Sequence, residues 1–113
     1  MSAVYTSNIV INTGSTFNQT FDLENTDTST AFDLTGYTAA AQMRKWAGST
    51  TATSFTASIP GPVTQGKVIL SMSATTTAEL SAGRYVYDIT LTAGTTVERV
   101  IEGMVLVREG VTR

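Results

Sequence analysis

Few residues of this chain could do chemistry, because the sequence contains no histidine and no cysteine. That absence removes Ser-His and Cys-His nucleophile pairs, a histidine general base and the common zinc ligand sets. Among the carboxylates, only Asp22, Glu24 and Asp27 form a local cluster. A loop of oxygen ligands can bind calcium, but these residues lack the Asp-x-Asp-x-Asp-Gly pattern, which favours a solvated loop. We therefore predict no catalytic, cofactor-binding or metal-ligating residue, no cofactor, and no enzymatic activity.

A second charged group lies near the C-terminus, at Glu98, Arg99, Glu102 and Arg108. On a regular strand Glu98, Glu102 and Arg108 would share one face and Arg99 would point to the other. The favoured interpretation is ordinary outer-face charge with a partly buried Arg99, and pairing of subunits along this strand is the alternative. Neither Lys67 nor Arg84 has the Gly-x-x-x-x-Gly-Lys context of a phosphate-binding loop.

The aromatic residues offer two further candidates. Trp46 is the only tryptophan; we expect it to pack in the core or over the edge of the fold, with an exposed sugar-binding platform as the alternative. Tyr85 and Tyr87 alternate at the head of a β-branched run. Packing at the end of a sheet is the favoured role for this pair, over ligand binding.

Composition limits the possible partners. The chain has 113 residues, 14% of them charged, a net charge of −2 and no apolar run near the ~20 residues that span a bilayer. We therefore expect one domain over residues 1–113, no nucleic-acid partner and no membrane partner. The start of the chain lacks the basic and apolar regions of a signal peptide, so we expect synthesis in a cytoplasm.

Alternating hydrophobicity and 22 threonines favour strands over helices. Turn signals recur every 8–12 residues, which is typical of a sandwich or small barrel. We predict an all-β fold, an immunoglobulin-like antiparallel β-sandwich of about seven strands with one short helical turn. Thr76 and Glu79 have the spacing of a capping box, which predicts that this turn begins at Thr76. The predicted strands are Tyr5–Ile11, Thr16–Leu23, Tyr37–Trp46, Thr53–Ile59, Lys67–Met72, Arg84–Thr92 and Thr96–Val107. Phe17, Gln19, Phe21 and Leu23 share one face of the second strand, and Val68, Leu70 and Met72 point inward from the fifth. Ala93-Gly94-Thr95 joins the last two strands as a hairpin.

The stretch Leu80 to Thr92 suggests a specific feature of such sandwiches. A connection ending in Leu80, followed by Gly83 and then Tyr85, resembles a tyrosine corner, in which a tyrosine hydroxyl binds a backbone group a few residues upstream. Tyr85 is the predicted corner residue. Tyr87 then takes the position of the second cysteine of antibody domains, so we expect its ring in the core.

Two stretches also resemble a known group of proteins. These are FDLTGYTAAAQMRK, residues 32–45, and GKVILSMSATTTAELSAGRYVYDITL, residues 66–91, continued by VERVIEGMVLVREGVTR. Their order and spacing resemble the small β-sandwich domains of tailed-bacteriophage virion proteins, notably the N-terminal domain of baseplate upper proteins and related tail or neck accessory proteins. In those baseplate proteins the domain precedes a further region.

The resemblance implies a non-enzymatic structural component of a tail, baseplate or neck, located in the virion and acting by docking on other virion proteins. It also implies a homo-oligomer or multiple copies on a symmetric particle. We expect residues 1–12 to form a contact arm or edge strand, with Tyr5, Ile9 and Ile11 in the contact. The alternatives are a capsid decoration protein of the same fold and a carbohydrate-binding module for host adsorption.

Overall fold

The computed structural model describes residues 5–23 and 33–110, and this part of the chain is an immunoglobulin-like β-sandwich with one short helix. Two sheets pack face to face, as in other sandwiches. The strands are β1 Tyr5–Thr6, β2 Ile9–Asn12, β3 Phe17–Asp22, β4 Thr38–Arg44, β5 Thr53–Ser54, β6 Thr56–Ser58, β7 Lys67–Met72, β8 Gly83–Ala93 and β9 Thr96–Arg108. No helix among the described residues is long and apolar enough to cross a membrane.

The larger sheet has the strand order β1-β9-β8-β4-β5, and β2 continues β1 along the same side of β9. Strands β4, β5, β8 and β9 pair antiparallel, whereas β1 and β2 run parallel to β9. The two longest strands, β8 and β9, form a hairpin around Gly94, which has a positive φ of 59°. The predicted long C-terminal hairpin is therefore confirmed.

The smaller sheet has the order β3-β7-β6, and its inner face closes the core. Alternate residues of β3 and β7 point inward, and Phe17 and Phe21 of β3 lie directly across from Met72 and Val68 of β7. Val68 and Leu70 are fully buried between the sheets. The inward faces predicted for these two strands from their period of two are confirmed.

The predicted strand Thr53–Ile59 is two shorter strands. β5 pairs with β4 in the larger sheet, whereas β6 pairs with β7 in the smaller one. Phe55, between them, is 6% exposed and packs on the rings of Phe17 and Tyr87 at centroid distances of 5.8 and 6.2 Å. The chain changes sheets here because burying this ring anchors the crossing, and alternation alone does not reveal such a change.

The helix α1, Ala74–Ala78, joins β7 to β8 and begins three residues earlier than the predicted capping box. Its N-cap is Ser73, whose side chain accepts a hydrogen bond from the Thr76 N–H at 3.2 Å. The capping prediction at Thr76 and Glu79 was therefore wrong, since Glu79 is the C-cap. Thr77 is fully buried, and its hydroxyl donates to the Ser15 carbonyl at 2.8 Å, which fixes the helix to the β2–β3 loop.

The Asp-Leu-Thr-Gly motif forms the turn that leads into β4. The Asp33 carboxylate accepts hydrogen bonds from both the N–H and the hydroxyl of Thr35, and these bonds lower the pKa of Asp33. Leu34 is 1% exposed, and its carbonyl accepts the Tyr37 N–H at 3.0 Å. Gly36 has a φ of 81°, which favours glycine. This motif therefore has a structural role at the start of a strand.

Over the described residues 5–12, the N-terminal segment forms the edge strands β1 and β2 of the larger sheet, one of the two roles predicted for it. The predicted contact through Ile9 and Ile11 is wrong, however, since both side chains are buried. Ile9 is 3% exposed and Ile11 is fully buried, because the parallel pairing of β2 with β9 turns both side chains into the core. The edge-strand alternative is the one that the structure supports. The side chain of Tyr5 and residues 1–4 lie outside the described part.

We expect Ile11→Ala to lower the free energy of unfolding by about 2–5 kcal/mol, because it removes buried methyl groups and leaves a cavity. Val10→Ala is the matched control, since Val10 is the neighbouring residue of the same strand but is 48% exposed; its cost should stay below about 1 kcal/mol. Urea unfolding followed by circular dichroism measures both. Equal costs for the two variants would contradict the assignment of β2 to the core.

Candidate docking face

The tyrosine pair has a structural role at the end of the sandwich. The Tyr85 hydroxyl donates to the Ser81 carbonyl at 2.7 Å, four residues upstream, so the predicted tyrosine corner is confirmed. The Lys45 ammonium lies 4.6 Å from the centroid of the Tyr85 ring and covers it. This hydrogen bond is exposed to solvent, so its contribution to stability is smaller than a buried bond would give.

Tyr87 lies in the core, as predicted, and joins β8 to the N-terminal segment. Its ring is 4% exposed, and its hydroxyl donates to the carbonyl of Ser7 between β1 and β2. Burial raises the pKa of Tyr87 above its ordinary value of 10.0, because the phenolate would be poorly solvated there. Both hydroxyls donate to backbone carbonyls of this chain, which favours the packing role over ligand binding for this pair.

The acidic cluster is only partly described. Asp22 pairs with Lys67 across the β3–β7 ladder at 2.7 Å, and both side chains are substantially exposed. Glu24 and Asp27 lie outside the described residues. Within residues 5–23 and 33–110, no three acidic side chains come close enough to hold a metal ion.

Glu102 and Arg108 of β9 share a face as predicted, but a β-bulge reverses the predicted faces of Glu98 and Arg99. The register shifts between Ile89 and Thr90, so that Thr90 pairs with Arg99 and Val100 is the extra residue. Such an extra residue reverses the side-chain parity beyond it. Glu98 therefore lies on the inward face opposite Leu91, whereas Arg99 lies outside with Glu102.

Arg99 is exposed and central to an ion-pair group, so its predicted partial burial was wrong. Its guanidinium lies 3.3 Å from the Asp88 carboxylate and 3.5 Å from that of Glu102. All three side chains are about half exposed, and exposed pairs contribute little to stability. The group therefore matters more for the charge of this surface than for folding.

Trp46 is 62% exposed, which contradicts the expected core or edge burial. It follows β4 in a turn closed by a hydrogen bond from the Ser49 N–H to the Trp46 carbonyl at 2.9 Å. The indole lies beside Gly48, where a Cβ atom would come within 3.6 Å of the ring. The strand ends before the tryptophan, and the ring lies over that glycine.

The most unusual surface is the solvent side of the larger sheet, here named the outer face. It carries three large apolar side chains that are 42–48% exposed: Val10, Met104 and Leu106. Val10 lies directly across from Leu106, and the half-buried Val86 lies across from Met104. These four residues form a continuous apolar centre on adjacent strands, the kind of patch that marks interaction surfaces.

Arginines surround this apolar centre. Arg44, Arg84, Arg99 and Arg108 all lie on the outer face, against the two carboxylates of Asp88 and Glu102, although the whole chain has a net charge of −2. Arginine and methionine are both enriched at protein interfaces. A shallow hollow of about 460 Å³ lies here, lined by the side chains of Arg44, Val86, Asp88, Arg99 and Met104 among others.

Sequence reasoning missed this face, although a signal was present. In the run Met104–Val107, all four residues are apolar, and a strand with one face in water normally alternates. Val105 and Val107 are buried, which leaves Met104 and Leu106 for the outside. An apolar run of this kind in an antiparallel strand indicates that the second face of the strand is either buried within the fold or free to contact a partner.

Comparisons with known proteins show the fold and no more. No family model matches the chain, and no curated protein matches it. Among solved structures, the crystal structure of Listeria monocytogenes InlP matches with a TM-score of 0.53 and 14% sequence identity. The match covers 95% of this chain and 28% of the InlP chain, so this chain is similar to about a quarter of that protein. At this identity the likeness supports the sandwich architecture alone.

The raised pKa of Tyr87 gives a pH dependence with a definite sign. The stability that comes from keeping Tyr87 neutral in the core is present below pH 10 and is lost as pH rises through the folded-state pKa. We expect wild type to lose more unfolding free energy than Tyr87→Phe between pH 9 and 11.5. Urea unfolding across that range measures the difference, and absorbance at 295 nm should show one of the four tyrosines ionising late. Parallel pH profiles for the two proteins would contradict the assignment.

Proposed function

We propose that this protein is a non-enzymatic docking module and, more specifically, a structural component of a tailed-phage virion that acts in a tail, baseplate or neck. The observation that carries the docking role is the outer face, with an exposed apolar centre surrounded by arginines. A patch of this composition on a rigid sheet is suited to contact with another protein surface.

Two other observations support a structural role over a catalytic one. The chain lacks histidine and cysteine, and the described residues hold no cluster of acidic side chains able to hold a metal. The buried polar contacts at Thr77 and Tyr87 bind backbone carbonyls of neighbouring segments and are therefore used to hold the fold together. The hydroxyls of Thr77 and Tyr87 thus stabilise the fold, and the outer face remains available for contact with a partner.

The virion role itself rests on the sequence resemblance over residues 32–113. Several of the residues that carry the resemblance have structural roles in this fold. Gly36 forms a turn, Thr77 anchors the helix to a loop and Tyr85 forms the tyrosine corner. They define a scaffold rather than a reactive site. A capsid decoration protein would use the same scaffold and remains the nearest alternative within the proposal.

The virion proposal can be tested on tailed phage particles that are assembled in a host producing this protein. Epitope-tagged wild type, Leu106→Asp and Thr20→Asp should be produced during particle assembly, and the purified particles imaged by immunogold electron microscopy. We expect wild type and Thr20→Asp on a defined substructure, since Thr20 lies on the exposed side of the smaller sheet. Leu106→Asp should be lost from particles, because it places a charge in the apolar centre. Unlabelled particles for all three proteins would contradict a virion role.

A carbohydrate-binding role is the second candidate, favoured by the exposure of Trp46. Exposed indole rings can stack on apolar sugar faces, and the Trp46 ring is largely open to solvent. Because Trp46 is the sole tryptophan, its fluorescence reports sugar stacking directly. Under the docking proposal, we expect host surface glycans to leave its emission unchanged at millimolar concentration. A saturable shift that is lost in Trp46→Ala would favour the sugar-binding role instead.

A further inference from the structure

The side chains of the outer face form rows that cross the strands, and their chemistry changes from row to row. Val86 and Met104 are direct partners in the β8–β9 ladder and form a central apolar row. Arg84 and Leu106 form the next row on one side, and Asp88 and Glu102 form the next row on the other. Each outer row lies about 6.7 Å from the central row, because facing side chains recur every two residues.

The charges are therefore opposite on the two sides of the central row. Arg84 and Arg108 make no ion pair within the described residues, so the side toward Leu106 is basic. On the other side, Asp88 and Glu102 share a single arginine, Arg99. A surface whose charge changes sign about an apolar line is complementary to itself after rotation by 180° about that line.

We propose that two copies of this chain pair through their outer faces about a two-fold axis along the Val86–Met104 row. This inference rests on the docking role proposed above and names a second copy as the partner of the outer face. In the pair, the central rows of the two copies pack on each other. Arg84 of each copy meets Asp88 of the other, and Leu106 packs on the methylene groups of Glu102. Two-fold pairing repeats each contact twice, as isologous interfaces do.

The third side chain of the central row, Arg44, stays charged in the pair, but its guanidinium is held by its own chain. Its guanidinium donates to the Ser49 carbonyl and to the Gln42 side chain, the latter at 3.1 Å. These bonds hold it against the β4–β5 loop of its own chain. A two-fold axis along β8 would instead place Arg84 against Arg84 and Asp88 against Asp88, which is unfavourable.

The size of the face indicates a weak dimer. Four strands and the three side-chain rows cover about 19 Å by 20 Å, or roughly 400 Å² on each copy. The total of roughly 800 Å² is below the size of a stable interface and within the range of weak, transient pairs. We expect a dissociation constant on the order of 10–100 µM, which multiple attachment on a particle would strengthen.

Single cysteines test the position of the axis, because the natural chain has none to interfere. Residues on the axis meet their own counterparts across facing sheets about 10 Å apart, so a short bifunctional thiol reagent such as bismaleimidoethane should link the two copies of Met104→Cys. A direct disulfide is not expected at that backbone separation. Leu106→Cys is the matched variant on the same strand, and its two copies would lie a further ~13 Å apart along the strands, beyond the reach of this reagent. We expect cross-linking of Met104→Cys to be at least ten-fold faster. Thr20→Cys, on the smaller sheet, gives the collisional background.

A charge exchange tests the polar contact. In sedimentation velocity from 5 to 500 µM, Arg84→Asp should raise the dimer dissociation constant at least ten-fold, and so should Asp88→Arg. The double variant should restore dimerisation close to the wild-type level, because the exchanged charges again meet across the axis. Thr20→Asp should have no effect.

The results separate this inference from the proposed function. Rapid Met104→Cys cross-linking together with restoration by the double variant would support the two-fold pair. A wild-type protein that stays monomeric at 500 µM would overturn the pair, as would equal cross-linking rates for Met104→Cys and Leu106→Cys. A monomer that still appears on particles would overturn the pair alone, whereas a confirmed dimer absent from particles would overturn the virion role alone.

Discussion

The close approach of two backbones at Gly103 is the constraint on which this sandwich depends. A Cβ atom at Gly103 would lie 2.1 Å from the Ser7 carbonyl oxygen, so only glycine lets the N-terminal segment pass this close to β9. The Asn8 side chain accepts the Met104 N–H at 3.0 Å where the strand ladder is interrupted, and Tyr87 donates to the same Ser7 carbonyl. Because this crossing is fixed, β2 follows in register and brings Ile9 and Ile11 into the core.

The same arrangement gives β9 two different surfaces. One side of the strand fills the core with Val105 and Val107, and the other presents Met104 and Leu106 to solvent. The bulge at Val100 then determines which charges accompany them, since it turns Arg99 outward beside Asp88 and Glu102. The composition of the outer face therefore follows from the backbone geometry at two positions, the close approach at Gly103 and the bulge at Val100.

Much of the fold could be predicted from sequence because its signals are local. Alternation located β3, β7, β8 and β9 within a residue or two, and Gly83 with Tyr85 indicated the corner. The errors came from longer-range effects. Burial of Phe55 split one strand between two sheets, one extra residue reversed the faces of β9, and parallel pairing with β9 placed Ile11 in the core. The outer face was missed because its exposure depends on which strands cover β9.

The parallel pairing of β2 with β9 also has a mechanical consequence. Residue 5 lies at one end of this ladder and residue 110 beyond the other, on a body 44 Å long. Tension between the two ends of the described chain therefore acts along the strands and loads the β2–β9 hydrogen bonds together, in shear. A hairpin pulled open from one end would instead lose its bonds one at a time. The sandwich is thus built to transmit force along its length while its core stays closed.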